Sequence, residues 1–252
     1  MRWRRRAAPA SPVEDRLGAI NARARVQIEV AGRPFDDGGT LNWRDYKWKL
    51  RGRDVASRRV DETDAPVDEA FLKERHHRQY GRPWLLGRYA FDFAVGAGMQ
   101  PSDRVVDIGC GALRFGIHAI RYLNSGCYFG LDPHLKSLEA AVTYELPLNG
   151  LEDKRPRLLW ANRYDAGHFG ETFDWAFDIS TSLHVPEEDL PVLFQSAATA
   201  LRSGGRLAVS PKLRIDVSPF GLRVVSDTVQ ACPLLEGHDF DADMPWVVLE
   251  KS

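Results

Sequence analysis

Cysteine is scarce. The 252 residues contain three, Cys110, Cys127 and Cys232. An odd number without paired spacing excludes a disulfide framework and a cysteine-rich zinc site, and it points to the reducing cytoplasm. No run of about 18 apolar residues occurs, so no transmembrane helix and no membrane partner is expected. The net charge is only -1, too small a field to call for nucleic acid or a membrane surface. Behind the four arginines of residues 1–6 comes Ala7-Ala8-Pro9-Ala10-Ser11-Pro12 rather than an apolar stretch. That is a poor signal peptide, and residues 1–15 are expected to form a disordered basic tail. His76, His77, His118 and His168 lack the spacing of a ligand set, so no metal site is expected. A serine nucleophile elbow and a lysine-bearing phosphate loop are both missing.

What is present suits one α/β domain with an extra segment: 44% of the residues are hydrophobic and 27% charged. Charge is unevenly placed. Residues 1–60 hold 15 Lys and Arg against 7 Asp and Glu, and the remainder holds 19 against 28. Residues 16–67 form an N-terminal extension. Within it Val26–Val30 alternates apolar and polar residues and reads as a short strand. Asn42–Leu50 mixes Trp and Tyr with cations, either as a surface that packs on the main domain or as one that meets a substrate or partner. From Asp68 the pattern turns helical, over Asp68–Tyr80 and then Arg82–Ala97. Strands are expected at Arg104–Ile108, Cys127–Leu131, Arg157–Ala161, Asp174–Ser180 and Arg206–Ser210. Helices are expected at Arg114–Leu123, Leu135–Tyr144 and Glu187–Leu201, and final strands at Val224–Pro233 and Trp246–Glu250. Apolar strands alternating with helices imply a mostly parallel sheet covered on both faces.

The chemistry concentrates where the first buried strand meets a helix, at Val105-Val106-Asp107-Ile108-Gly109-Cys110-Gly111-Ala112-Leu113-Arg114. Glycines there let the chain turn tightly and bring its backbone against a ligand. In an open α/β sheet, ligands bind beyond the carboxyl ends of the strands. A dinucleotide fingerprint needs a third glycine where Arg114 stands, and Asp107 would repel a pyrophosphate. A carboxylate at that point suits a cationic ligand. Asp132, ending the next strand in Gly130-Leu131-Asp132-Pro133, can accept ribose hydroxyls from either cofactor class.

From about Tyr80 to Lys251 the chain resembles the class I, seven-stranded S-adenosylmethionine-dependent methyltransferases. Asp107-Ile108-Gly109-Cys110-Gly111 is similar to the family's first motif and Gly130-Leu131-Asp132-Pro133 to its second. Phe173–His184 and Leu201–Leu207 resemble its fourth strand with the following loop and the turn into its fifth. The resemblance implies a three-layer Rossmann-like α/β fold over residues 68–252, its sheet mostly parallel with an antiparallel final strand. It implies S-adenosylmethionine as cofactor, held by Asp107, Gly109, Cys110, Gly111, Asp132, Pro133, Asn162 and Asp178. Asn162 falls where the family often has an acid on the adenine amine. Asp178 lies where the family lines the cofactor's methyl end, unless it is simply a buried strand carboxylate. Tyr80 and Trp84 fall on the helix that caps the family's active site, where they act as a lid or as ordinary packing. His184 is the candidate base, with a backbone-bonding structural histidine as its other reading. The family's third glycine is replaced by Leu113, whose bulk is expected to narrow the methionine end of the pocket. Asp178-Ile179-Ser180-Thr181 departs from the Asn/Asp-Pro-Pro-Tyr/Phe run of many nucleic-acid and protein amino-methylating enzymes. A small-molecule acceptor, through a hydroxyl, is therefore expected, and nucleic acid is not an expected partner. The alternative is a non-catalytic scaffold whose basic, aromatic N-terminal segment binds a polyanion or partner protein. A nicotinamide-dependent oxidoreductase is disfavoured by Arg114 and Asp107.

Overall fold

Apolar segments too short for helices, such as Val105-Val106-Asp107-Ile108, are buried on both faces, as the inner strands of a helix-covered parallel sheet must be. The computed structural model describes residues 28–31, 86–161, 164–232 and 243–252. Its strands are β1 (Ile28–Ala31), β2 (Val105–Ile108), β3 (Tyr128–Asp132), β4 (Arg157–Ala161), β5 (Phe173–Ile179), β6 (Leu201–Ser210), β7 (Leu222–Ala231) and β8 (Asp243–Lys251). They form one sheet in the order β1-β4-β3-β2-β5-β6-β8-β7. Pairing is parallel from β1 through β6, and β8 runs antiparallel to both β6 and β7. The expected α/β architecture, with its antiparallel final strand, is the one observed. The chain reverses direction of strand addition at β2, and β2 and β5 lie side by side although β3 and β4 intervene in sequence. That switch point is where the glycine loop emerges.

Strand side chains alternate between two cores. Val105, Tyr128, Leu158, Trp160, Trp175 and Phe177 join the first, which is covered by α1 (Arg88–Gly96), α2 (Gly116–Tyr122) and α3 (Leu135–Ala140). Val106, Ile108, Phe129, Leu131, Leu159 and Ala176 join the second, beneath α4 (Leu190–Ala200) and the 3-10 turn Ala166–Phe169. In α1 the i, i+4 pair Ala90 and Ala94 is buried, and Phe93 stacks on Trp246 with ring centroids 4.1 Å apart.

Three elements differ from the sequence pattern. The helix expected over Leu135–Tyr144 is α-helical only to Ala140, then continues as a wide π turn over Ala141–Glu145 and a last turn at Leu146–Leu148. Pro147 supplies no N–H to the helical ladder, which agrees with a ladder that widens just before it. The helix expected from Glu187 starts as a 3-10 turn, Glu187–Asp189, before α4. The strand expected at Arg206 begins at Leu201 opposite Phe173, and its register to β5 then jumps so that Arg206 faces Trp175, with Gly204 left-handed in the bulge.

The N-terminal strand joins the far edge. Ile28 pairs with Leu158 and Ala31 with Ala161. Glu29 receives a forked contact from Arg157, whose Nε and Nη2 donate to its two oxygens at 2.7 and 2.9 Å. Arg157 also lies over the rings of Phe129 and Phe169. Its pKa is raised, first by that hydrogen bonding to Glu29. Asp68–Tyr80, Asn42–Leu50 and the tail over 1–15 lie outside the described residues.

Candidate functional site

The loop after β2 is stapled to β3 by its own amides. The N–H groups of Gly109 and Cys110 both donate to the Leu131 carbonyl, at 2.8 and 3.1 Å. The Gly111 N–H donates to Oδ2 of Asp132 at 2.8 Å. Gly109 and Gly111 have φ of 77° and 56°, the left-handed region open to glycine. A side chain on Gly109 would overlap that of Thr181, so the loop after β5 packs directly onto the glycine loop. Cys110 turns its sulfur into the core, where a Cβ on Gly130 would come within 2.9 Å of it. What this loop offers a ligand is backbone.

Leu113 also takes a left-handed conformation, with φ of 64°. Such a conformation costs a non-glycine residue about 1–2 kcal/mol. Its side chain has no exposed surface. It packs beneath the first turn of α2, its Cδ2 2.8 Å from where a Cβ on Gly116 would stand.

Three buried carboxylates come together at the strand ends. Asp132, at the end of β3, holds two backbone N–H groups, those of Gly111 and of His134 at 2.7 Å. Pro133 follows, buried, its carbonyl accepting from Trp160 Nε1 at 3.2 Å. Asp107, 3% exposed, accepts at Oδ2 from the Tyr128 hydroxyl at 2.7 Å. No described residue donates to its Oδ1. Burial pushes Asp107 up to about 7; the Tyr128 hydrogen bond and the Arg114 guanidinium pull it down, and the charges of Asp132 and Asp178 add to the rise. The same burial, with Asp107 alongside, carries the Tyr128 phenol well above its usual range.

Asp178 sits near the end of β5. Its Oδ1 caps the following turn, accepting from the N–H groups of Thr181 at 2.9 Å and Ser182 at 3.0 Å. Burial pushes it up to about 6, against the opposing pull of the Ser182 hydroxyl and of those two amides. Ser182 Oγ lies near enough to lower Asp178 but makes no aligned hydrogen bond. Among the described residues, Asp178 Oδ2, Thr181 Oγ1 and Ser182 Oγ are buried without a hydrogen-bond partner.

His184 ends the 3-10 turn Ser182–His184, half-buried, its backbone N–H bonded to the Thr181 carbonyl at 2.9 Å. The turn that carries it thus begins at the residue touching Gly109. Asn162, Tyr80 and Trp84 lie outside the described residues. The start of α1 does reach the loop, because a side chain on Gly87, its N-cap, would overlap the Arg114 carbonyl. Elsewhere, His118 stacks on Phe91 and His168 lies 3.6 Å from Asp165. No group of three His, Cys, Asp or Glu side chains among the described residues is placed to hold a metal.

Sequence reasoning missed Tyr128, Gly87 and Thr181, and it used Arg114 only as a missing glycine. For Tyr128 a signal existed. In Tyr128-Phe129-Gly130-Leu131-Asp132 the tyrosine, glycine and aspartate share one face of the strand, and register sets Gly130 opposite Asp107. For Gly87 and Thr181 no local pattern marks the contact.

Strand order, switch point and glycine loop together define a Rossmann-like methyltransferase fold, and solved structures agree. The chain is similar to magnesium protoporphyrin IX methyltransferase (ChlM) from Synechocystis, crystallised with bound S-adenosylmethionine, with a TM-score of 0.55 at 15% identity over 85% of this chain and 100% of that one. It is similar to the glycopeptide N-methyltransferase MtfA, crystallised with S-adenosylmethionine, with a TM-score of 0.52 at 15% identity over 66% of this chain and 94% of that one. It is similar also to a methyltransferase from Clostridium acetobutylicum, with a TM-score of 0.51 at 12% identity over 73% and 97%. At such identities the likeness defines the fold. No family model matches the chain, and no curated protein matches it.

Proposed function

We propose that the chain binds S-adenosylmethionine at the carboxyl ends of β2 and β3 and methylates a small molecule, at a hydroxyl. The observation that carries this reading is the electrostatics of the glycine loop. The N–H groups of Gly109, Cys110 and Gly111 are committed to Leu131 and Asp132, so these three are not offered to a phosphate. Three buried carboxylates stand around the loop. A pyrophosphate is repelled there, whereas an ammonium and a sulfonium are attracted. The unpartnered buried oxygens of Asp178, Thr181 and Ser182 fit a polar ligand as well, since buried polar atoms are normally bonded.

When bound, S-adenosylmethionine supplies a methyl group on a sulfonium leaving group. Asp107 would hold the ligand's ammonium. Asp132 would meet the ribose hydroxyls, with Gly109, Cys110, Gly111 and Pro133 forming the backbone wall. Asn162 would accept from the adenine amine, Asp178 would line the methyl end, and Tyr80 and Trp84 would close the site. His184, on the turn above the loop, would remove the acceptor's proton. Methyl transfer needs in-line alignment above all, and a fixed set of walls provides it. The turn Thr181-Ser182-Leu183-His184 lacks the planar-amine clamp of amino-methylating enzymes, and this supports a hydroxyl acceptor.

Calorimetric titration tests the cofactor. Heat is expected with S-adenosylhomocysteine and none with NAD or RNA, and a silent titration at millimolar S-adenosylhomocysteine overturns the reading. Methylation of bulk RNA or protein with no small acceptor used would overturn the acceptor class alone.

A further inference from the structure

The Tyr128 hydroxyl is a buried titratable group that the fold alone does not require, since a phenylalanine would fill the same apolar site. It is one of the larger fully buried side chains, and it spends its single donor on Asp107. Space for that hydroxyl comes from a glycine on another element. A Cβ on Gly116, in the first turn of α2, would stand 2.5 Å from Tyr128 Oη. Gly116 is a poor helix former, costing about 1 kcal/mol against alanine, so its position answers a packing need. Gly130, opposite Asp107 in the ladder, leaves room on the same face for the Cys110 side chain.

We propose that Tyr128 is a positioning residue: seated in the gap left by Gly116, its hydroxyl pins Oδ2 of Asp107 and leaves Oδ1 to meet a cationic ligand. The proposal rests on the reading of this site as one for S-adenosylmethionine. The groups facing Asp107 are Tyr128 and Asp132 from β3, Asp178 from β5 and Arg114 from the loop into α2. On α1, Arg88 and Asp92 pair with each other on the exposed side. Two neighbouring carboxylates oppose the charge on Asp107, and the tyrosine and arginine favour it. A cation binds the ionised form, so affinity should rise with pH until Asp107 is fully ionised. Removing the hydroxyl takes away a donor to the charged form and makes ionisation harder.

The test is calorimetric titration of S-adenosylhomocysteine into the full chain from pH 5.5 to 8.5, for wild type and for Tyr128→Phe. In wild type the dissociation constant should fall with pH and level off above about pH 8. In Tyr128→Phe it should be about fivefold weaker at pH 7 and about tenfold weaker at the acid end, its levelling point about one pH unit higher, and the two proteins should approach each other at the alkaline end, as a shift of one pKa unit requires. Gly116→Ala, which displaces the hydroxyl instead of deleting it, should reproduce the shift and serves if Tyr128→Phe does not fold. Equal affinity and an unmoved pH profile in the folded variants would overturn the role of Tyr128 while leaving the cofactor reading intact. Absence of binding in wild type sinks the cofactor reading, and the positioning role falls with it. Thermal unfolding without ligand isolates the link itself. Tyr128→Phe should alter the pH dependence of the wild type and leave that of Asp107→Asn unchanged, and an equal change in both backgrounds would overturn it.

Discussion

At the scale of single residues, each side chain in the site is shaped by what its neighbour lacks. Gly109 has no Cβ, and Thr181 lies on it. Gly116 has none, and Tyr128 reaches Asp107 past it. Leu113 shows the converse. It stands in a conformation suited to glycine, yet its side chain is entirely buried under α2. The bulk that the sequence placed at the methionine end of the pocket is spent on the core. His184 is the residue on which the proposed chemistry most depends. A general base contributes about 10²–10⁴-fold to a proton-transfer-assisted step. His184→Ala should therefore lower kcat by at least about a hundredfold, while S-adenosylhomocysteine affinity stays within about twofold. Steady-state kinetics with calorimetry checks both. A variant that loses affinity and keeps kcat would make His184 a structural histidine.

At the scale of elements, the site is a junction of three loops and a helix start, held by packing against one another. Thr181 from the loop after β5 lies on Gly109, and Gly87 of α1 lies on Arg114. Arg114 in turn reaches the Ile179 carbonyl at 3.4 Å. The sequence patterns placed most of these elements because helix and strand periodicity are local properties. They read β1 as a short strand but did not say where in the sheet it lies. Glu29 and Arg157 are 128 residues apart, and nothing within Val26–Val30 states which strand it will join. The forked, partly shielded pair with two ring contacts makes Arg157 the clasp of that edge. Arg157→Ala should destabilise the protein by about 1–3 kcal/mol, a value in keeping with a lost charged hydrogen bond and cation–π contacts. It should also speed amide exchange across Ile28–Ala31. Unchanged exchange there would show that backbone pairing alone holds β1.

At the scale of the whole molecule, the acid-rich strand ends set a balance between binding and stability. Asp107 and Asp178 have folded values of about 7 and about 6, against 3.8 for the free side chain. Between about pH 4 and pH 7 the folded chain keeps protons that the unfolded chain has released. Stability from these groups is therefore full in acid and declines as pH rises to 7, then stays level. For Asp107 the loss is on the order of 4 kcal/mol. Asp216, exposed and held below its usual value by Ser218, acts in the opposite direction at lower pH. Thermal unfolding should show Asp107→Asn more stable than wild type at pH 8, with the advantage shrinking toward pH 4. A difference that does not vary with pH would refute the linkage. A cationic ligand would offset the same cost, which explains why a protein would tolerate buried, mutually repelling carboxylates. No helix among the described residues is long and apolar enough to cross a membrane.

Sequence alone determined the alternation of strands and helices, the position of the glycine loop and the two acids that end β2 and β3, because each is written within a few consecutive residues. Tertiary structure decided what those acids face. The hydroxyl on Asp107, the threonine on Gly109, the burial of Leu113 and the strand added beside β4 all depend on register and packing between segments distant in the chain, and those relations exist only once the sheet has assembled.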